Sequence, residues 1–243
     1  MTILFADIRS FTTLSEGMTP EQNFNFINSY LSRVSPVIRA HNGFIDKYIG
    51  DAVMALFPES VDDAVSGAID MQKQVQIYNI QRQREGEVPI AIGIGLHTGS
   101  LMLGTIGEQE RMESTVISDA VNLASRLEGL TKLYGAGILI SGQTLLYLND
   151  FPQYNYRFVD RVKVKGKHTP VAVFEVYDGD EQVLKQLKTE TKTDFEEAVY
   201  LYFQQKFAQA QEIFEDIYQI NPQDQGTALY LKRCEKYQKQ GMP

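Results

Sequence analysis

An α+β fold is predicted for this 243-residue chain by three observations. Short apolar or alternating stretches at Thr2 to Ala6, Phe44 to Tyr48, Ala52 to Phe57 and Ile90 to Leu96 read as strands. Between them, Phe24, Ile27, Leu31, Val34 and Ile38, and later Val61, Val65, Ile69 and Val75, keep helical spacing. The order that results is strand–helix–hairpin–helix–strand, that of a ferredoxin-like βαββαβ core with further strands and helices added.

Local signals support each element. Thr19-Pro20-Glu21-Gln22 predicts a helix start, with Thr19 as N-cap, Pro20 in the first helical position and Gln22 closing a capping box. Asn42-Gly43 ends that helix, and Ile49-Gly50-Asp51 turns the hairpin. Ala120, Leu123, Leu127 and Leu130 define a third helix, Ile138 to Ile140 a further strand, and the segments around Phe158 and Val171 to Val176 complete a mixed sheet. Near residue 180 the character changes. Phe195, Ala198, Tyr202, Phe207, Ala210, Phe214 and Ile217 keep helical spacing up to Asn221-Pro222, and a last helix runs through Leu229 and Leu231. The expectation is a main domain over 1–178, a linker over 179–192 and a tetratricopeptide-like helical tail over 193–243. One helical hairpin cannot bury its own apolar face, so the tail should pack on the main domain or on further repeats. A helical appendage that simply extends the core fits the pattern equally well.

A net charge of -8 excludes a protein whose main task is coating nucleic acid, since no basic excess neutralises phosphates. The single cysteine, Cys234, allows no intrachain disulfide and fits a reducing compartment. No apolar run reaches membrane-spanning length and no signal peptide is evident, so a soluble, cytoplasmic protein is expected. Met1 to Ala6 already reads as a buried strand, which suggests a piece of a longer chain with upstream regulatory domains.

Two carboxylates carry the first chemical signal. Asp7 follows the first strand and Asp51 sits at the hairpin tip, and a ferredoxin-like sheet brings those strands side by side. Such a pair suits Mg²⁺, which takes few protein ligands and leaves room for substrate phosphates. Either Asp alone would be an ordinary turn residue. The backbone amides of Ile8 to Thr12, through Phe11 and Thr12, could cradle a triphosphate, and a plain strand–helix connection has the same composition. Gly93, Gly95 and Gly99 miss the dinucleotide-binding spacing and lie within a strand, and no Walker A sequence is present. Asn122 and Arg126, four apart, share one face of the third helix, away from its leucine stripe, with Thr115 in the approach. Lys165 could reach a phosphate, though a polar turn would look the same.

Three blocks together resemble the class III adenylyl and guanylyl cyclases: Phe5 to Thr12, Lys47 to Ala52, and Thr115 to Leu127. The resemblance covers roughly residues 1–178 and not the tail. It implies that Asp7, Asp51 and the Ile8 carbonyl hold two Mg²⁺ ions, with Mn²⁺ able to substitute, and that Lys47 and Thr115 read the base. It assigns Asn122 to orienting the ribose, Arg126 to the pentavalent phosphorus and Lys165 to the terminal phosphates, in a homodimer with two equivalent interfacial sites. One ion would activate the ribose 3′-hydroxyl for attack on the α-phosphate of ATP, and the other would neutralise the leaving pyrophosphate.

Donors and acceptors favour adenine. Lys47 only donates and adenine N1 only accepts, whereas guanine N1 carries a proton. Guanylyl cyclases have an acidic residue in place of Lys47. Thr115 stands where many adenylyl cyclases have Asp, which resembles the bicarbonate-responsive soluble subtype found in cyanobacteria. The alternatives are a guanylyl cyclase, disfavoured by Lys47, and a silent dimerisation or regulatory module, disfavoured by the complete residue set. A diguanylate cyclase is disfavoured by a hairpin reading Ile49-Gly50-Asp51-Ala52.

Overall fold

The computed structural model describes residues 1–108, 111–149, 151–163 and 170–240. The chain begins with β1 (Thr2–Ile8), a single-turn helix α1 (Phe11–Ser15), α2 (Pro20–Ala40), the hairpin β2 (Phe44–Ile49) and β3 (Ala52–Phe57), α3 (Val61–Arg84) and β4 (Ile92–Thr98). It continues through a second hairpin, β5 (Met102–Glu108) and β6 (Arg111–Ile117), then α4 (Asp119–Tyr134), β7 (Ile138–Ser141), α5 (Gly142–Leu146), β8 (Tyr156–Val162) and β9 (Val171–Val176). The last elements are α6 (Gln182–Phe203), α7 (Phe207–Ile220) and α8 (Gln225–Gln240). Seven strands form one sheet in the order β2-β3-β1-β4-β7-β9-β8, whose first four are the expected ferredoxin-like set. The β5–β6 hairpin stands apart and was not anticipated from the sequence.

The capping box at α2 forms as read: Gln22 N donates to Thr19 Oγ1 at 3.2 Å, and Thr19 N donates to Gln22 Oε1 at 2.8 Å. Strand alternation then divides the core between two faces. Leu4, Ala6 and Ile8 of β1 pack with Tyr30, Val34 and Ile38 of α2 and Ala64 and Ala68 of α3. Ile3 and Phe5 point the other way, with Met54 and Leu56, and meet Ala120 and Ala124 of α4.

The β4 glycines explain how α4 sits so low on the sheet. A Cβ on Gly95 would fall 2.1 Å from Glu128 N and 2.4 Å from Ala124 O, both backbone atoms of α4. One on Gly93 would fall 2.1 Å from Thr131 Oγ1. These residues serve helix–sheet contact.

The stretch 179–192, expected as a linker, is helical from Gln182 onward. Helices α6 to α8 share an aromatic cluster of Phe195, Tyr202, Phe214 and Tyr230, and pack on the sheet. Arg157 on β8 is 1% exposed and joins the two parts. Its Nε donates to Glu175 on β9 at 2.7 Å, and its two terminal nitrogens donate to Asp224 at 2.6 and 2.8 Å. Lys188 of α6 bridges Glu175 and Asp180 at 2.6 Å each. Burial pushes the Asp224 carboxyl up, but Arg157 outweighs it and holds the group at about 2. The outer edge of β8 is also covered: Phe158 N donates to Glu196 Oε1 and the Tyr230 hydroxyl donates to Val159 O, each at 2.7 Å.

Gly95→Ala tests the close approach. Its methyl group must displace helix backbone, so unfolding free energy should fall by about 1–3 kcal/mol, read from the urea midpoint. A midpoint equal to that of the wild-type protein would show that α4 yields freely.

Candidate active site

Strand β1 delivers Asp7 opposite Gly93 of β4, near the end of the strand. The β2–β3 turn delivers Asp51, with Gly50 in the left-handed region at φ 64°, where a side chain would be strained. The amide of Ile8 donates to both carboxylates, at 3.0 Å to Asp7 Oδ1 and 3.3 Å to Asp51 Oδ2. Among the described residues no cationic side chain pairs with either group. Burial, the hydrogen bond to Asp7 and the charge of Asp7 together push the Asp51 carboxyl up to about 7.

A divalent cation fits this arrangement. Two acids share one amide, and among the described residues no ion pair offsets their mutual repulsion. No group of three or more His, Cys, Asp or Glu side chains converges among the described residues. An ion there would take two carboxylates and leave its other positions to carbonyl oxygen, water or phosphate, the pattern that suits Mg²⁺.

Two neighbouring residues escaped the sequence reading. Glu128 on α4 lies near Asp7, and burial and then the Asp7 charge push its carboxyl up to about 7. The Arg9 guanidinium donates to Thr131 O at 3.4 Å and to Ala136 O, tying the residue after Ile8 to the C-terminal end of α4. The available signal for Glu128 was a charged residue four after Ala124, on the face that the helix buries.

Lys47 lies opposite Met54, and Met54 belongs to the α4 side of the sheet, the side that Asp7 shares with Ile3 and Phe5. Asn122 and Arg126 are exposed on the outer face of α4. The helix is fixed at its start by Ser118, whose hydroxyl donates to Ser100 O at 2.6 Å and accepts from Ala120 N at 3.0 Å. Thr115 is placed on β6 opposite Gly104. Phe11 stacks on Phe26, with centroids 6.2 Å apart, so its ring belongs to the core margin. Thr12 is exposed. Of the amides in this turn, that of Arg9 is occupied by Ala91 O at 2.8 Å. Lys165 lies outside the described residues. The structure thus gathers Asp7, Ile8 and Asp51 at one point, and sets Lys47 and α4 on the same side of the sheet.

This geometry coincides with clear sequence kinship. A model of the family described as "Adenylate and Guanylate cyclase catalytic domain" matches residues 1–176. An adenylate cyclase of Anabaena cylindrica is 46% identical over 182 residues, covering 72% of this chain and 36% of its own length. The terminal-differentiation-specific adenylate cyclase of Dictyostelium discoideum is 38% identical over 240 residues, 96% of this chain, so that match extends into the C-terminal helices. The chain spans 36% and 11% of the lengths of these two relatives. Among solved structures, the adenylyl cyclase CyaB from P. aeruginosa superposes with a TM-score of 0.65 at 35% identity, covering 72% of this chain and 92% of that one. The guanylyl cyclase Cya2 gives 0.65 at 34% identity, covering 74% and 93%. The chain belongs to the adenylate and guanylate cyclase catalytic domain family.

Proposed function

We propose that this chain is the catalytic domain of an adenylyl cyclase, converting ATP to 3′,5′-cyclic AMP and pyrophosphate at two sites formed between two copies of itself. The observation that carries this reading is the Asp7–Asp51 pair on one shared amide, on the same side of the sheet as a lysine at position 47. Two Mg²⁺ or Mn²⁺ ions bound at the pair would supply the charge that activates the ribose 3′-hydroxyl and neutralises pyrophosphate.

The chain's own groups do the rest. Lys47 donates to adenine N1, and the Thr115 hydroxyl accepts from the 6-amino group. Asn122 orients the ribose, Arg126 meets the charge that develops on the α-phosphate, and Lys165 and the α1 turn at Phe11 and Thr12 hold the terminal phosphates. Thr115 in place of Asp also carries the expectation of a bicarbonate response. The reading puts the reaction in the cytoplasm, where ATP is at hand; among the described residues no helix is long and apolar enough to cross a membrane.

A dimer is supported by what one copy leaves exposed. Asn122 and Arg126 point outward, and Phe44, Leu103 and Met102 on elements of that side are 40%, 48% and 70% exposed. The Cya2 likeness keeps a guanylyl cyclase in view, which incubation with ATP or GTP and identification of the cyclic product would reveal.

Asp51→Asn should abolish turnover while the protein stays folded and dimeric, checked by product assay and light scattering. Near-normal turnover would remove the carboxylate pair from the mechanism.

Lys47→Glu should shift relative efficiency from ATP toward GTP by about tenfold or more, because it exchanges a donor for an acceptor. A fixed ratio of kcat/KM values would mean that another group reads the base.

Two inactive variants should also rescue each other. In a mixed dimer of Asp51→Asn and Arg126→Ala, both defects fall in one site and the other site is intact. Equal mixing makes about half the dimers mixed, so roughly a quarter of wild-type activity should return. A mixture that remains inactive after verified subunit exchange would refute shared sites.

A further inference from the structure

We propose that Asp46 is a positioning residue for purine choice, its buried carboxylate holding the Lys47 ammonium where the base is read. The proposal rests on the adenylyl cyclase reading above, in which Lys47 contacts the base.

The backbone gives the first argument. Along β2, Phe44 lies opposite Leu56 and Ile45 opposite Ala55, so Ile45 faces the α2–α3 side. A regular two-residue period would put Lys47 on that side too. The register instead shifts between Ile45 and Lys47, and Lys47 comes to lie opposite Met54, on the other face. Asp46 is the extra residue of this bulge, and bulges re-aim the side chains that follow them. With a regular register in place of the bulge, Lys47 would lie opposite Val53 and face the α2–α3 layer.

The side chains give the second. The Asp46 side chain is 8% exposed, and its Oδ2 lies 3.3 Å from Lys47 Nζ, whose own side chain is 38% exposed. Among the described residues that oxygen is buried and has no hydrogen-bond partner. An unfilled acceptor on a buried carboxylate is costly, and the Lys47 ammonium is the cation paired with it.

The chemistry gives the third. Lysine is among the side chains richest in rotamers, so a free ammonium at a strand edge samples many positions. A neighbouring carboxylate narrows them. Position matters for choice: the ammonium only donates, so held at the base it matches the acceptor N1 of adenine and excludes the N1–H of guanine. The Thr115 hydroxyl both donates and accepts, so discrimination leans on the Asp46–Lys47 pair.

The test compares ATP with GTP on the full chain, both as the ratio of kcat/KM values and as the ratio of dissociation constants for non-reactive analogues. Asp46→Asn should lower the ATP preference by about fivefold or more, chiefly through KM for ATP, at a near wild-type melting temperature. Asp46→Glu, which restores the charge, should recover part of it. In a Lys47→Ala background, Asp46→Asn should change the ratio no further. Where Asp46→Asn fails to fold, Asp46→Ser removes the same charge and carries the same expectation. A folded Asp46→Asn or Asp46→Ser protein with the wild-type ratio overturns the proposal, as does an undiminished effect of Asp46→Asn on Lys47→Ala. A ratio unmoved by Lys47→Ala is a different failure, that of Lys47 as the base reader.

Discussion

Helix α4 lies closer to β4 than any side chain at Gly95 would permit, and the placement of the functional groups follows from that approach. With the helix this low, Glu128 is carried into range of Asp7, and Arg9 can reach the carbonyls of Thr131 and Ala136 at the far end of the same helix. The opposite face is left outward, and there Asn122 and Arg126 stand. One packing contact therefore sets both the acidic side and the outward side of the helix. A protein interior at crystal-like density transmits a shift of the helix to both.

The acids at this corner show the opposite economy. Burial and the charge of Asp7 push the Asp51 and Glu128 carboxyls each up to about 7. Near neutral pH these two groups thus hold protons that a bound cation would displace. A group raised in the folded state destabilises the protein once it is forced to ionise, so this corner is less stable above pH 7 than below it until positive charge arrives. Tension of this kind is characteristic of sites built for a ligand.

Much of this was legible in the sequence, for identifiable reasons. Thr19, Pro20 and Gln22 act within one helical turn, and the capping box they announce is present. Asp7 and Asp51 could be paired because the order of elements fixes which strands are neighbours. The β5–β6 hairpin escaped because its first strand, Met102 to Glu108, carries little apolar alternation. Arg9 and Glu128 escaped because their partners are tertiary: a carbonyl more than a hundred residues away, and a carboxylate on another element. The bulge at Asp46 belongs to the same class, since an extra residue in a strand is invisible until its partner strand is known.

The C-terminal helices bear on what counts as one unit. The family match ends at residue 176, yet Arg157 and Glu175 inside it are neutralised by Asp224 and Lys188 beyond it. Severed after Val176, the chain would keep a buried guanidinium without its second carboxylate, and a sheet whose β8 edge had lost the caps from Glu196 and Tyr230. Bare strand edges recruit other strands, and the newly solvated one would be an aggregation seam. The limit at residue 176 is therefore the extent of the family's catalytic domain, and folding does not respect it. Any lineage that exchanged these helices for another module would also have had to find a new cover for the sheet.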